Sequence, residues 1–189
     1  MMKRFLIFSF ILAGTIVSTA QFEFKPGVRA GINYSKITNI NADNKTDFFV
    51  GAQFGLKFVD FYTLQPELTY SRQGFKSDKT YSLDYLSLSI TNKFTFGGGF
   101  NALVGPILDI KVGDNFSEFV SNEIVNLDFA FAAGLGYTFQ NGFAVDMRFK
   151  QGLIDIFGDN INEESQENID DVRLNQLFQF GVSYTFDVK

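Results

Sequence analysis

The chain of 189 residues contains no cysteine and no histidine. Without cysteine there can be no disulfide, no thiolate nucleophile and no lipid-modified N-terminal cysteine of the lipoprotein kind. Without histidine there can be no Ser-His-Asp, Cys-His or Asp-His machinery and no imidazole metal site. Proteases and acyl hydrolases built on those groups are excluded, and the expectation is a non-enzymatic protein with no cofactor and no resident metal. Basic excess is also lacking: 16 Lys and Arg stand against 21 Asp and Glu, a formal charge of −5. That balance suggests no nucleic-acid partner.

Long hydrophobic runs are scarce as well. The one such segment lies at the N-terminus, where Lys3 and Arg4 precede an apolar stretch from Phe5 to Val17 and small residues Ser18, Thr19 and Ala20 follow. This stretch is too short to cross a bilayer core of roughly 30 Å as a helix. Its order of charge, apolar run and small residues predicts a secretory signal peptide over residues 1–20, cleaved after Ala20, with the mature domain occupying 21–189. Losing Lys3 and Arg4 takes the formal charge to −7. No later segment offers the eighteen or more uninterrupted apolar residues of a spanning helix.

What the chain has instead is alternation. From Leu177 to Phe186 the residues Phe178, Phe180, Val182, Tyr184 and Phe186 alternate with Gln179, Gly181, Ser183 and Thr185. A strand projects successive side chains to opposite sides, so such a segment lies between two different media. Small polar residues and glycines opposite a row of large apolar ones fit lipid outside and a narrow polar interior. The same pattern recurs at 27–35, 48–58, 62–71, 85–96, 101–111, 127–139 and 143–150, with weaker contrast at 101–111. The prediction is all-β: an eight-stranded antiparallel up-and-down transmembrane β-barrel.

Connection lengths alternate too. Short turns are expected around Asp60, Gly98 and the Asn141-Gly142 hairpin signal, and long polar loops at 36–47, 74–84, 113–126 and 157–173. That rhythm places both termini and the short turns on the periplasmic side of a bacterial outer membrane, with four longer loops outside the cell. Pro66 and Pro106 oppose the scheme, because proline cannot donate to a sheet ladder and an interior barrel strand has neighbours on both sides. A bulge or local break is expected at each.

The segments Gly27-Val28-Arg29-Ala30-Gly31-Ile32-Asn33-Tyr34-Ser35, Leu64-Gln65-Pro66-Glu67-Leu68-Thr69-Tyr70-Ser71-Arg72-Gln73-Gly74, Val104-Gly105-Pro106 and Ala133-Gly134-Leu135-Gly136-Tyr137 occur in this order. Together they resemble the PorT-family outer-membrane β-barrel proteins of Bacteroidetes, over nearly the whole mature chain. The resemblance implies an OmpA/OmpX-like eight-stranded barrel, with proline accepted at positions 66 and 106. It also implies kinship with a namesake that takes part in protein secretion, although a fold does not transfer a role.

The inward set predicted by this phase contains Arg29, Lys57, Glu67, Lys93, Asp109, Lys111, Asp128, Asp146, Arg148 and Lys150. Isolated charges in a narrow low-dielectric lumen are costly, so these are expected to pair into a structural network that plugs the barrel. Two alternatives remain open: an ion path lined by the excess of bases, and a ligand cavity framed by Gly31, Gly51, Gly55, Gly105, Gly134, Gly136 and Gly181. Glu67 with Asp128 or Asp146 would be the acid–base pair of an enzyme, but carboxylates beside Arg29 and Arg148 read more simply as their partners. The last loop gathers Asp159, Glu163, Glu164, Glu167, Asp170 and Asp171. These hard oxygens would suit Ca²⁺ or a divalent bridge to lipopolysaccharide, but their spacing matches no calcium motif, and a solvated acidic loop is expected. The predicted partners are outer-membrane lipid and lipopolysaccharide, the barrel-assembly machinery during insertion, and envelope or secretion-system proteins.

Overall fold

The computed structural model describes residues 22–39, 42–115, 126–156 and 172–187. They form eight strands: β1 (Glu23–Ile37), β2 (Asp43–Val59), β3 (Tyr62–Lys76), β4 (Thr80–Thr95), β5 (Phe100–Asp114), β6 (Leu127–Thr138), β7 (Phe143–Gly152) and β8 (Asn175–Thr185). Each pairs antiparallel with its neighbours in chain order, and β1 pairs with β8 from Gly27↔Thr185 to Ile37↔Asn175, which closes the barrel. Among the described residues no helix is long and apolar enough to cross a membrane.

Side-chain polarity is inverted relative to a water-soluble barrel. In β8, Leu177, Gln179, Gly181 and Ser183 are buried while Phe178, Phe180 and Val182 are exposed. The phase expected for the other strands holds as well. Arg29, Gln53, Glu67, Thr91, Asp109, Asp128 and Arg148 are buried, whereas Val28, Val50, Leu68, Ile90, Phe129 and Met147 face outward. Leu135 is 66% exposed. An apolar belt around the whole circumference is stable only where lipid replaces water. Aromatic rings mark its lower border. Tyr62 packs against Phe58 and Phe94, Tyr137 against Phe100 and Phe139, and Tyr184 against Phe143 and Phe186. All six contacts lie beside the short turns, where rings with one wet edge suit the membrane–water boundary.

The strands exceed what a bilayer needs. A tilted membrane strand requires about 9 to 11 residues, whereas β1 to β5 have 15 to 17 and β6 to β8 have 10 to 12. Two of the expected long loops are therefore corrected. Most of 36–47 and 74–84 is strand: β1 runs to Ile37 and β2 begins at Asp43, and only 77–79 separates β3 from β4. Beyond the lipid boundary polar side chains such as Asn44 and Lys76 are exposed and inward Ile37 and Phe75 enter a buried apolar cluster, so the apolar-out, polar-in contrast that reveals a membrane strand is lost although the ladder continues. The other two connections enter the described residues only at their ends. The acidic cluster at 159–171, and residues 1–21 with the expected signal peptide over 1–20, lie outside the described residues.

The prolines are accommodated by a local break without a bulge. Between β2 and β3 the register runs from Gln53↔Glu67 to Leu56↔Leu64 with the same offset, omitting the pairs opposite Pro66 and Gln65. The β4–β5 ladder likewise passes from Ser89↔Ile107 to Asn92↔Val104 across Pro106. On their other sides Pro66 still faces Ile90 and Pro106 faces Phe131. Only the missing N–H is lost, and the strand stays in register. Register shifts fall elsewhere, between Asn44 and Phe49, between Lys57 and Val59, and at Asp84/Tyr85. The β6–β7 hairpin closes through Gly142, whose φ of 86° a residue with a Cβ adopts only at a cost.

Because Val182 lies in the belt between Phe178 and Tyr184, Val182→Arg is expected to destabilise the barrel by about 2 to 4 kcal/mol, the scale for a charge near the bilayer midplane. Thr185→Gln on the inward phase should cost much less. Urea unfolding in phospholipid vesicles measures both, and equal costs would mean that this assignment of outward and inward faces is wrong.

Candidate functional site

Among the described residues, the lumen is where the fold concentrates buried charge. At its centre four groups converge from three strands: Arg29 on β1, Glu67 on β3, and Asp146 and Arg148 on β7. Arg29 Nη1 donates to Glu67 Oε2 at 2.7 Å and Nη2 to Asp146 Oδ1 at 3.2 Å. Arg148 Nη1 donates to both Glu67 oxygens at 3.0 and 2.9 Å, and Nε to Asp146 Oδ1 at 2.6 Å. Gln65 adds a bond to Glu67 Oε1 at 2.8 Å. Two guanidinium groups against two carboxylates leave the cluster neutral, and buried charges are tolerated in that form. The Arg29 guanidinium also lies 4.7 Å from the centre of the inward Phe49 ring.

Glycines make the space. A Cβ on Gly181 would stand 2.8 Å from Asp146 Oδ2 and 3.2 Å from Arg29 Nη2, one on Gly31 2.8 Å from the Phe49 ring, and one on Gly134 2.8 Å from Arg148 Cγ. These residues frame salt-bridged side chains instead of an open ligand cavity.

The other inward charges are spread along the axis. Lys150 hydrogen-bonds Asp109, both fully buried, and Asp128 stands beside Asp109 on β6. Lys111 pairs with Asp114 at 3.0 Å towards the far end of β5. Lys57 does not join the lumenal network. It is close to the β2–β3 turn, where it meets Asp60 at 2.8 Å, and that hydrogen bond holds the exposed Asp60 carboxyl below its ordinary pKa. Lys93 donates to Thr138 Oγ1 at 3.0 Å and has no carboxylate in ion-pair contact among the described residues. It lines a cavity of about 20 Å³ with Gln53, Gln65, Asn101, Thr138 and Ser183, room for about one water. Among the described residues, no group of three or more acidic side chains is placed to hold a metal ion.

A second polar layer lies partly where loops were expected, at Lys45, Asp47, Gly74 and Ser82, and partly on Asn33 and Ser35 of a segment expected as strand. Lys45, buried, bonds Asp47 and donates to Ser82 Oγ at 2.8 Å, while on the outward phase the partly exposed Arg72 stands 3.4 Å from Asp84. Here the β2–β3 ladder is interrupted, and inward side chains of β1 reach across to the exposed backbone groups. Asn33 Nδ2 donates to Arg72 O at 2.7 Å and to Phe48 O at 3.3 Å. Ser35 Oγ donates to Gly74 O at 2.8 Å and accepts from Gly74 N at 3.0 Å. Gln73 and Asn175 bond each other alongside. The signal available in the sequence was phase: Lys45 and Asp47 continue the odd-numbered inward row of Gln53 and Lys57. Above this layer Ile37, Phe75, Leu83, Tyr85 and Ile156 form a buried apolar cap.

Comparison with known proteins follows this geometry. The family model described as "Outer membrane protein beta-barrel domain" matches residues 6–186. Among solved structures, the chain is similar to the attachment invasion locus protein Ail of Yersinia pestis in complex with the heparin analogue sucrose octasulfate. That match has a TM-score of 0.52 and 14% identity over 87% of this chain and 99% of that one. It is also similar to Neisserial surface protein A, with a TM-score of 0.51 and 12% identity over 86% of this chain and 97% of the other. At such identities the likeness is one of fold. No curated protein matches.

Arg148→Ala would leave Glu67 and Asp146 buried with only Arg29 between them. The expected cost is about 3 to 5 kcal/mol, the scale for breaking a buried pair, whereas Lys57→Ala at the solvated turn should change stability by less than about 1 kcal/mol. Urea midpoints of the two folded variants measure the contrast. Comparable losses would show that the central cluster carries no more weight than a surface pair.

Proposed function

Since the chain belongs to the outer membrane protein β-barrel domain family, we propose that it acts in the bacterial outer membrane as a non-enzymatic structural or interaction protein, a barrel that anchors binding elements without conducting solutes. The observation that carries this reading is the filled lumen. The neutral Arg29–Glu67–Asp146–Arg148 cluster, the amide and hydroxyl layer around Asn33, and the apolar cap of Ile37, Phe75, Leu83, Tyr85 and Ile156 occupy successive levels of the interior. The cavity beside Lys93 has room for about one water. Eight strands enclose a space that side chains just fill, so chemistry is left to the ends of the barrel.

In this reading residues 1–20 are a signal peptide removed after Ala20. The short turns face the periplasm, and the long connections, with the protruding β1–β2 and β3–β4 hairpins, face outward. The resemblance to PorT-family proteins supports an accessory role in protein secretion, with envelope or secretion-system proteins as partners. Lipopolysaccharide is the expected lipid contact, and the barrel-assembly machinery the partner during insertion. The solute-channel alternative requires a water path through all three levels.

The protein should fractionate with outer membranes, yield Gln21 as its N-terminal residue and show heat-modifiable migration on gels. Planar-bilayer recordings of the purified barrel should show no steady conductance. A reproducible open state abolished by neutralising Lys93 or Lys150 would replace this reading with a pore. Pull-down from native outer membrane with mass spectrometry would identify the partner.

A further inference from the structure

Among the described residues, the inward charges are matched by ion pairs except at Lys93, which bonds only Thr138, and at one level with an excess of carboxylate. On β4, β5 and β6 the inward residues Ser87, Asp109 and Asp128 are direct cross-strand neighbours, Ser87↔Asp109 and Asp109↔Asp128. Side chains so paired have Cβ atoms about 4.5 to 5.5 Å apart. Two carboxylates thus stand side by side, and one ammonium, Lys150 on β7, bonds Asp109. Lys111, the other nearby base on β5, is engaged with Asp114. The level retains one uncompensated negative charge. Asp109 is 0% exposed and Asp128 4% exposed, and the apolar cap containing Leu83 and Tyr85 lies above them, so solvent ions do not neutralise them freely.

This level and the adjoining Asn175 hold buried oxygens without hydrogen-bond partners. Asp109 Oδ1, Asp128 Oδ2, Ser87 Oγ and Asn175 Oδ1 are all fully buried and unpartnered among the described residues. Asn175 is 1% and Ser87 7% exposed. The Asn175 amide is oriented by its Nδ2 bond to Gln73, which assigns the orphaned atom as the carbonyl oxygen. Asp128 and Asn175 meet over Gly152: a Cβ there would stand 2.6 Å from Asp128 Oδ2 and 3.0 Å from the Asn175 backbone oxygen. Buried polar atoms are normally satisfied, so such a group of orphaned acceptors, in a region one positive charge short, points to a missing cation.

We propose that this level binds one monovalent alkali cation, Na⁺ or K⁺, through Asp109 Oδ1, Asp128 Oδ2 and Asn175 Oδ1, with Ser87 Oγ beside them. Carboxylate, amide and hydroxyl oxygens are the ligands that hard cations take. One unit of charge neutralises two carboxylates and Lys150, whereas a divalent ion would leave an excess positive charge beside that ammonium. The bound ion would tie β5, β6 and β8 together where the ladder gives way to the long connections.

The test uses the folded full barrel in detergent at fixed pH and ionic strength, with NaCl or KCl replaced by choline chloride. The heat-modification midpoint should rise by about 2 to 4 °C in at least one alkali salt relative to choline, the shift expected when a folded-state ligand stabilises a chain of this size by about 1 kcal/mol. Asp128→Asn should abolish the difference, and Asp60→Asn at the exposed turn should keep it. Thallium(I) soaked into crystals of the unmodified protein should give an anomalous peak between Asp109 and Asp128, which decides the matter if Asp128→Asn does not fold. Equal midpoints in alkali and choline salts overturn the proposal, as does a difference that survives Asp128→Asn or a midpoint that responds only to pH, the signature of a shared proton.

Discussion

Lipid offers no hydrogen bonds, and every backbone N–H and C=O at membrane depth must find a partner within the chain. The pairing of β1 with β8 over Gly27↔Thr185 to Ile37↔Asn175 is the interaction on which the rest depends, because it removes the two free edges that eight strands in sequence would leave. Departures from the ladder are managed under the same rule. Pro66 and Pro106 each lose pairing on one side, and the register continues unchanged. At the β2–β3 interruption the freed carbonyls of Arg72, Gly74 and Phe48 are taken by Asn33 and Ser35 from β1. The polar interior therefore serves the backbone as well as itself.

Closure with apolar residues outward forces polar residues inward, and the narrow bore then imposes electrical neutrality. Arg29, Arg148, Glu67 and Asp146 satisfy one another through bonds of 2.6 to 3.2 Å. Such a cluster is weak evidence of net stabilisation against an apolar filling, since desolvation offsets much of the attraction. Its consequence is occlusion. Two arginines, Phe49 and the amides around them fill the space that glycines at 31, 134 and 181 leave open. An interior so occupied shifts binding to the ends, and the strands that rise past the lipid belt provide surface there.

The distribution of strand length adds an asymmetry. β1 to β5 extend well beyond the bilayer requirement while β6 to β8 barely meet it. The tall side carries its own buried apolar cap and a second charged layer of Lys45, Asp47, Arg72 and Asp84. It is a folded extension of the barrel wall, and it presents a fixed surface on the side proposed to face outward.

Strand number, facing and closure were legible in the sequence, because alternation such as that of Phe178, Phe180 and Val182 against Gln179, Gly181 and Ser183 records two different media. The short turns at Asp60, Gly98 and Asn141-Gly142 were legible too, through local turn chemistry. Strand extent above the membrane was not, since there polar residues such as Asn44 and Lys76 are exposed while inward Ile37 and Phe75 enter a buried apolar cap, and the apolar-out, polar-in contrast is lost. Inward facing of Lys57 was readable from phase, but its pairing with the turn residue Asp60 instead of a lumenal carboxylate depended on its height along the barrel axis. The meeting of Arg29 with Glu67 and Asp146, distant in the chain, likewise depended on strand stagger. Alternation is a property of one strand and is written locally, whereas which inward charges meet is set by the register of all eight, and only the closed barrel decides that.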